Sequence, residues 1–264
     1  MSEAVATLIR SLHTRKNRER KGLTLAEGVR LVEEVLAAGI PVKAAVISPA
    51  LEATPRGAAL SAALVVKTAR LERLEDRALA GLASTEHPQG VIAVIEPNTW
   101  RLEQLPTSLL TPHSSRSVVL LLDAVQDPGN VGTAVRTAWA LGAAGVVALP
   151  GTAELTNPKV LRGAMGATFR LPCVAAAPEE FFAWLADRKG ELWAAAAGGE
   201  SLSLLTPHSS RLTAVAVGNE GAGLSPAVEA AAARKVSIPM RPGAESLNVG
   251  VAAGILLHEL LHDR

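Results

Sequence analysis

Three short stretches carry the residues with which this chain could do chemistry. The first is Asp127-Pro128-Gly129-Asn130-Val131-Gly132-Thr133-Ala134-Val135-Arg136. Between Val131 and Leu141 the only charge is Arg136. A cation on so apolar a stretch usually has a partner or a task. The second stretch is Gly218-Asn219-Glu220-Gly221-Ala222-Gly223-Leu224-Ser225. Its glycines allow the backbone to approach a ligand closely, and Glu220 is placed to accept hydrogen bonds from a ligand hydroxyl or to order Arg136. The third runs from Ile238-Pro239-Met240 through a Pro/Gly turn to Ser246-Leu247-Asn248-Val249. There a hydroxyl and an amide sit at the mouth of a helix, a common place for a site. Each stretch also has a plain structural reading: Asn130 as a helix cap, Arg136 as a surface charge, Glu220 as an exposed turn residue, and Ser246 or Asn248 as an N-cap.

Some chemistries are excluded by what is missing. The first stretch has no Gly-Lys-Ser/Thr, and Gly129 with Gly132 does not make a dinucleotide fingerprint. The six histidines (His13, His87, His113, His208, His258, His262) form no ligand-spaced set with the single Cys173, so no metal is expected. One cysteine makes no internal disulfide, which suits a reducing cytoplasm.

The elements that must position these residues follow from apolar runs and breakers. Residues 3–21 read as a helix or helix-loop ending at Gly22. Leu23–Ala26 reads as a short strand. A helix opens at Glu27-Gly28 with Val29, Val32, Val35 and Leu36 on one face, and Gly39 closes it. Val42–Ser48 reads as a strand. Ala58–Leu64, Val65-Val66 and Leu71–Ala80 continue the αβ alternation, and Val91–Ile95 is a clear strand. Residues 98–116, with Pro106 and Pro112, read as a linker between a first domain over 1–97 and a second over 117–264. In the second, strands are expected at Ser117–Asp123, Gly145–Leu149, Leu192–Ala197, Thr213–Gly218 and Lys235–Met240. Helices are expected at about Gly132–Leu141, Asn157–Met165, Pro178–Asp187, Pro226–Ala232 and Val249–His262. Near-continuous apolar strands between helices predict a parallel sheet covered on both faces. Ligands of such sheets bind beyond the carboxyl ends of the strands, where the three stretches fall. The octapeptide Leu109–Arg116 recurs at Leu204–Arg211, each copy leading into a strand; no function follows from the echo.

The 264 residues are 48% apolar, ample for a packed core, with a net charge of +1. No membrane span and no basic-then-apolar leader pattern is expected. The charge distribution says more than the total. Residues 1–21 hold six Lys/Arg (Arg10, Arg15, Lys16, Arg18, Arg20, Lys21) against Glu3 and Glu19. Such a cluster binds phosphates even on a near-neutral chain, or is a solvated helix end. The helix after Asn248 has no charge before Glu259, so most of its surface must be covered.

Taken together, Asn130/Arg136, Gly218/Glu220/Gly221 and Ile238/Met240/Ser246/Leu247/Asn248 resemble the three signature motifs of the SpoU family of RNA ribose 2′-O-methyltransferases, within the SPOUT superfamily. The likeness covers about 117–262. It departs at Gly250, where members often carry Ser or Ala. More loosely, Leu25–Val32 and His87–Val91 resemble the ribosomal-protein-like RNA-binding domain that precedes many SpoU catalytic domains.

The resemblance implies an α/β fold: a C-terminal parallel-sheet domain tied in a trefoil knot, preceded by a smaller α/β RNA-binding domain. It implies S-adenosylmethionine as cofactor, held by Gly218, Gly221, Ile238, Met240 and Leu247, and a homodimer. It implies a catalytic set of Arg136, Asn130, Glu220, Ser246 and Asn248, with Arg136 as base or as a positioning group for the hydroxyl. RNA contacts are expected from Arg10, Arg15, Lys16, Arg18, Arg20, Lys21 and Arg30. Ribosomal RNA is the first expectation for the substrate and transfer RNA the second; a non-catalytic RNA-binding protein of the same fold is the rival reading.

Overall fold

A computed structural model describes residues 3–106, 117–201, 212–241 and 243–261. The chain divides into two compact units, Met1–Asn98 with Thr156–Phe169, and Thr99–Leu155 with Arg170–Arg264. This is not the division by sequence order, because Thr156–Phe169 packs with the first unit. Residues 107–116 of the expected linker, and both copies of the octapeptide, lie outside the described residues.

The first unit opens with α1 (Glu3–Leu12) and α2 (Arg15–Lys21), the latter ending at Gly22. There follow β1 (Thr24–Glu27), α3 (Val29–Ala37), β2 (Val42–Ile47), α4 (Pro49–Glu52), α5 (Pro55–Lys67), β3 (Leu71–Arg73), α6 (Asp76–Ala80) and β4 (Val91–Ile95). The sheet order is β1-β4-β2-β3. β4 runs antiparallel to both neighbours, and β2 and β3 are parallel. α3 buries Leu31, Val32 and Val35, the stripe its spacing predicts. Two local expectations fail. Val65-Val66 is the last turn of α5, not a strand: Thr54 Oγ1 caps the helix at Gly57 N (3.1 Å), and buried Leu60 and Leu64 carry it on. A helix already nucleated extends cheaply through β-branched residues. Leu71–Ala80, read as one helix, splits into β3 and α6.

The second unit begins with β5 (Ser117–Leu122), α7 (Pro128–Leu141) and β6 (Gly145–Ala148). The chain then contributes α8 (Pro158–Ala164) to the first unit, where Leu161 and Phe169 join the core beside Val32 and Ile47. It continues through β7 (Cys173–Ala175), α9 (Pro178–Asp187), β8 (Glu191–Ser201), β9 (Leu212–Val217), α10 (Pro226–Ala231), β10 (Arg234–Ser237) and α11 (Val249–Leu261). The six strands are all parallel, in the order β10-β8-β9-β5-β6-β7. Every residue of β5, β6 and β9 is buried, as expected for strands covered on both faces. β7 had no strand signal: three residues at a sheet edge are too few to show a period.

α11 packs along α7. Its Gly250 and Gly254 face Thr133 and Thr137. A Cβ at either glycine would lie 3.1 and 3.2 Å from the nearest threonine methyl. The contact is closed by small residues one turn apart, so the two helix backbones come close. The same contact accounts for glycine at position 250.

Candidate active site

The loops after β5, β9 and β10 meet through one hydrogen-bond network. α7 starts earlier than its apolar pattern indicates. Asp127 is the N-cap, its Oδ1 accepting from Asn130 N at 2.8 Å, and Pro128 takes the first helical position. This frees the Asn130 side chain from capping. Its Nδ2 donates to Glu220 Oε1 at 2.9 Å, and its Oδ1 accepts from Asn248 Nδ2 at 2.9 Å. Asn248 in turn caps α11, its Oδ1 accepting from Gly250 N (2.9 Å) and Val251 N (3.3 Å). One amide therefore ties the three stretches together, and each side chain has its orientation set by the others.

The β9 loop is braced from within. Asn219 and Gly223 pair as a β-bridge. The Asn219 side chain donates to Ala124 O and accepts from Gly221 N and Ala222 N, each at 2.9 Å. A Cβ at Gly218 would fall 2.3 Å from the Gly223 carbonyl oxygen, so no side chain fits there. Gly221 is less constrained, with only Asn219 Oδ1 within range at 3.7 Å. Buried Asp123 accepts from Ser225 N at 2.6 Å and anchors the far end of the loop. Asn219, Asp123 and Asp127 were not singled out from sequence. Asn and Asp beside Gly or Pro are turn and cap residues, and that was the signal available.

Burial raises the Glu220 carboxyl pKa, but the Asn130 amide and the backbone N–H groups of Glu220, Gln126 and Asp127 outweigh it. The group is held below its ordinary 4.5 and is ionised at neutral pH. It does not order Arg136, as one reading of the sequence had it. Arg136 is exposed on α7, and among the described residues its guanidinium has no hydrogen bond or ion pair. The proposed orienting contacts from Asn130, Ser246 and Asn248 to Arg136 are likewise not made.

A cavity of about 180 Å³ opens beside this network. Ala195 to Ala197 of β8, Ser237 and Ile238 form one wall, and Met240, Ser246 and Leu247 another. Met240 and Leu247 are each 39% exposed, unusual for large apolar side chains, and an apolar ligand surface would cover them. Gly218 and Gly221, expected among the cofactor contacts, do not line it. Cys173 is no alternative nucleophile, since burial pushes its thiol up to about 12. Among the described residues no cluster of His, Cys, Asp and Glu could hold a metal.

The basic segment is only partly available to a partner. Arg18 is 5% exposed and its Nη1 donates to Leu12 O and His13 O at 2.9 and 3.0 Å. It satisfies carbonyls at the end of α1, so its expected role in RNA contact is corrected to a structural one. Arg15 pairs with Glu19 at 2.6 Å and Arg20 donates to Asn17 at 3.1 Å. Arg10, Lys16, Lys21 and Arg30 are exposed.

Comparison with known proteins decides the lineage. Residues 117–258 match the SpoU rRNA Methylase family, and residues 7–93 match the MRM3-like substrate binding domain. The chain belongs to the SpoU family. It is 34% identical over 251 residues to RlmP of Bacillus subtilis, a 23S rRNA guanosine 2′-O-methyltransferase, covering 95% of this chain and 93% of that one. It is 30% identical over 264 residues to a 23S rRNA uridine 2′-O-methyltransferase of Streptomyces viridochromogenes, covering 96% and 87%. The solved SpoU methyltransferase AviRb from Streptomyces viridochromogenes, in complex with AdoMet, superimposes with a TM-score of 0.83 at 28% identity, covering 98% and 97%. The SpoU match spans all three stretches of the network and the cavity beside it.

Proposed function

We propose that this chain transfers a methyl group from S-adenosylmethionine to a ribose 2′-hydroxyl of ribosomal RNA, with the donor in the cavity beside Met240 and Leu247. The observation that carries the reading is that cavity, whose wall leads directly into Asn248 and its bonds to Asn130 and on to Glu220. Its lining fits the group: Ile238, Met240 and Leu247 offer apolar surface, and Ser246 makes no hydrogen bond among the described residues. When bound, the donor supplies a methyl made electrophilic by a sulfonium sulfur.

The remaining work falls to the chain's own residues. A ribose hydroxyl is a weak nucleophile until its proton leaves. Arg136 holds the hydroxyl oxygen and stabilises its developing charge. A guanidinium is no base at neutral pH, so the proton leaves to another acceptor, and the neighbouring phosphate is one the RNA itself carries. Asn130, Glu220 and Asn248 fix the loops around the reacting atoms. The trefoil knot belongs to the same proposal, as does a homodimer. Trp139 on α7 and Val251 and Ile255 on α11 are 45%, 50% and 37% exposed, apolar surface that a second copy would cover. No helix among the described residues is long and apolar enough to cross a membrane, and we place the protein in the cytoplasm.

Calorimetric titration with S-adenosylmethionine tests the donor site. The wild-type chain should bind it, and Leu247→Asp should lose binding while melting at an unchanged temperature. Absence of binding to the wild type would refute the reading.

A further inference from the structure

A second cavity, of about 310 Å³, lies wholly within the first unit and has no part in the chemistry above. Arg30, from the first turn of α3, and Arg162, from α8, both line it. Arg30 is exposed and makes no hydrogen bond among the described residues; its charge acts on Glu33, three residues on, whose carboxylate is bound by Arg56. Arg162 is held in place: its Nη1 donates to Ser84 Oγ at 2.9 Å and approaches Glu27 Oε2 at 3.5 Å. Its Nε and Nη2 donate to no described group, which leaves one edge of the fork for a ligand.

Glu27 is the anchor of this arrangement and not its ligand group. It is 5% exposed. Its Oε2 accepts from Ser84 N (2.9 Å) and Oγ (2.7 Å), and its Oε1 from Thr85 N (3.2 Å) and Thr85 Oγ1. With its oxygens so engaged it orients Arg162 and closes the loop at 84–85. Apolar surface comes from Leu31 and Met165. Met165 sits at φ 50, ψ 43, a left-handed conformation that costs a long side chain energy and that glycine adopts freely. A thioether is thus kept on the cavity wall against the local backbone preference.

We propose that this cavity receives one unstacked nucleotide of the RNA substrate, its phosphate on Arg30 and Arg162 and its base against Met165 and Leu31. The inference rests on the RNA-methyltransferase reading and extends it to how the substrate is held. Two guanidiniums select a phosphate. An apolar wall beside them suits the face of a base, as in recognition of splayed single-stranded nucleotides. The volume is at the lower end of ligand pockets, room for one nucleotide and not for a helix.

The test uses the full chain and a random-sequence single-stranded RNA of about ten nucleotides, with binding read by fluorescence anisotropy from about 50 to about 200 mM salt. Arg30→Ala should weaken binding about tenfold and lower the slope of log affinity against log salt by about 0.7. Met165→Gly should weaken binding without lowering the melting temperature, because glycine relieves the backbone. Wild-type chain that does not bind the RNA, or variants with unchanged affinity, would overturn the proposal. An effect of Arg30→Ala without one of Met165→Gly would overturn the nucleotide assignment and leave a phosphate site only. Donor calorimetry on the same preparations separates the two readings. Donor binding with unaltered RNA binding sinks this inference alone, whereas a wild type without donor binding sinks the methyltransferase reading.

Discussion

Asn130 joins Glu220 to Asn248, so replacing it disconnects all three loops at once. Asn130→Ala should cost about 1–2 kcal/mol of stability and far more in turnover than Gly221→Ala, whose added methyl meets nothing closer than 3.7 Å. Chemical denaturation and initial rates on the two variants check this. Glu27 makes a different prediction. Burial raises its pKa, but the hydroxyls of Thr85 and Ser84, the Ser84 N–H and Arg162 together hold it below 4.5. A depressed carboxyl adds stability above its unfolded value and loses it as pH falls through the folded value. Unfolding midpoints should therefore fall as the pH drops below the ordinary 4.5 of this carboxyl, and Glu27→Gln should flatten that fall. An equally steep fall in the variant would assign the effect to other groups. At this scale the sequence showed which residue types matter but not their partners. Asn130 was legible as a polar residue before a helix and Glu220 as the carboxylate of a Gly-rich loop, yet their bond to each other spans ninety positions of chain. Arg18 looked like its basic neighbours, and only its place beside the end of α1 makes it structural.

Among the elements, α11 is the one whose sequence said most about its surroundings. An uncharged helix from Val249 to Leu257 must be covered, and it is packed against α7 and the sheet strands β5 and β9. Gly254→Leu should force α7 and α11 apart and cost about 1–3 kcal/mol by overpacking, read as a lower midpoint in denaturant. An unchanged midpoint would mean that Thr137 can turn away at no cost. Parallel strands were legible because strands buried on both faces are apolar throughout, as β5 and β9 are. α8 was legible as a helix but not as part of the first unit. Its apolar residues Val160 and Leu161 say that it must be buried, not in which core. The short strands β3 and β7 were missed for lack of length.

For the whole molecule, the charge map predicts where RNA is held. The 117–264 half has ten Lys/Arg besides Arg136 against thirteen Asp/Glu, so excess positive charge lies elsewhere. Reversing Lys16 and Lys21, both exposed, should flatten the salt dependence of RNA binding by about one unit for each phosphate no longer neutralised, less for single strands. An unchanged slope would make α2 a solvated helix. Deleting residues 1–97 is no clean test of this, because it strips the cover from Leu161 and Phe169. Ile255→Glu should convert a dimer to a monomer in sedimentation velocity; a wild type already monomeric at micromolar concentration would contradict the proposed assembly. The central claim is the transfer itself. Ribosomal RNA incubated with the chain and methyl-labelled S-adenosylmethionine, then digested to nucleosides and resolved by mass spectrometry, should yield label in a 2′-O-methylnucleoside. Arg136→Ala should reduce that yield about 10²–10⁴-fold while still binding the donor. Label on a base, or equal yield from the Arg136→Ala chain, would contradict the account.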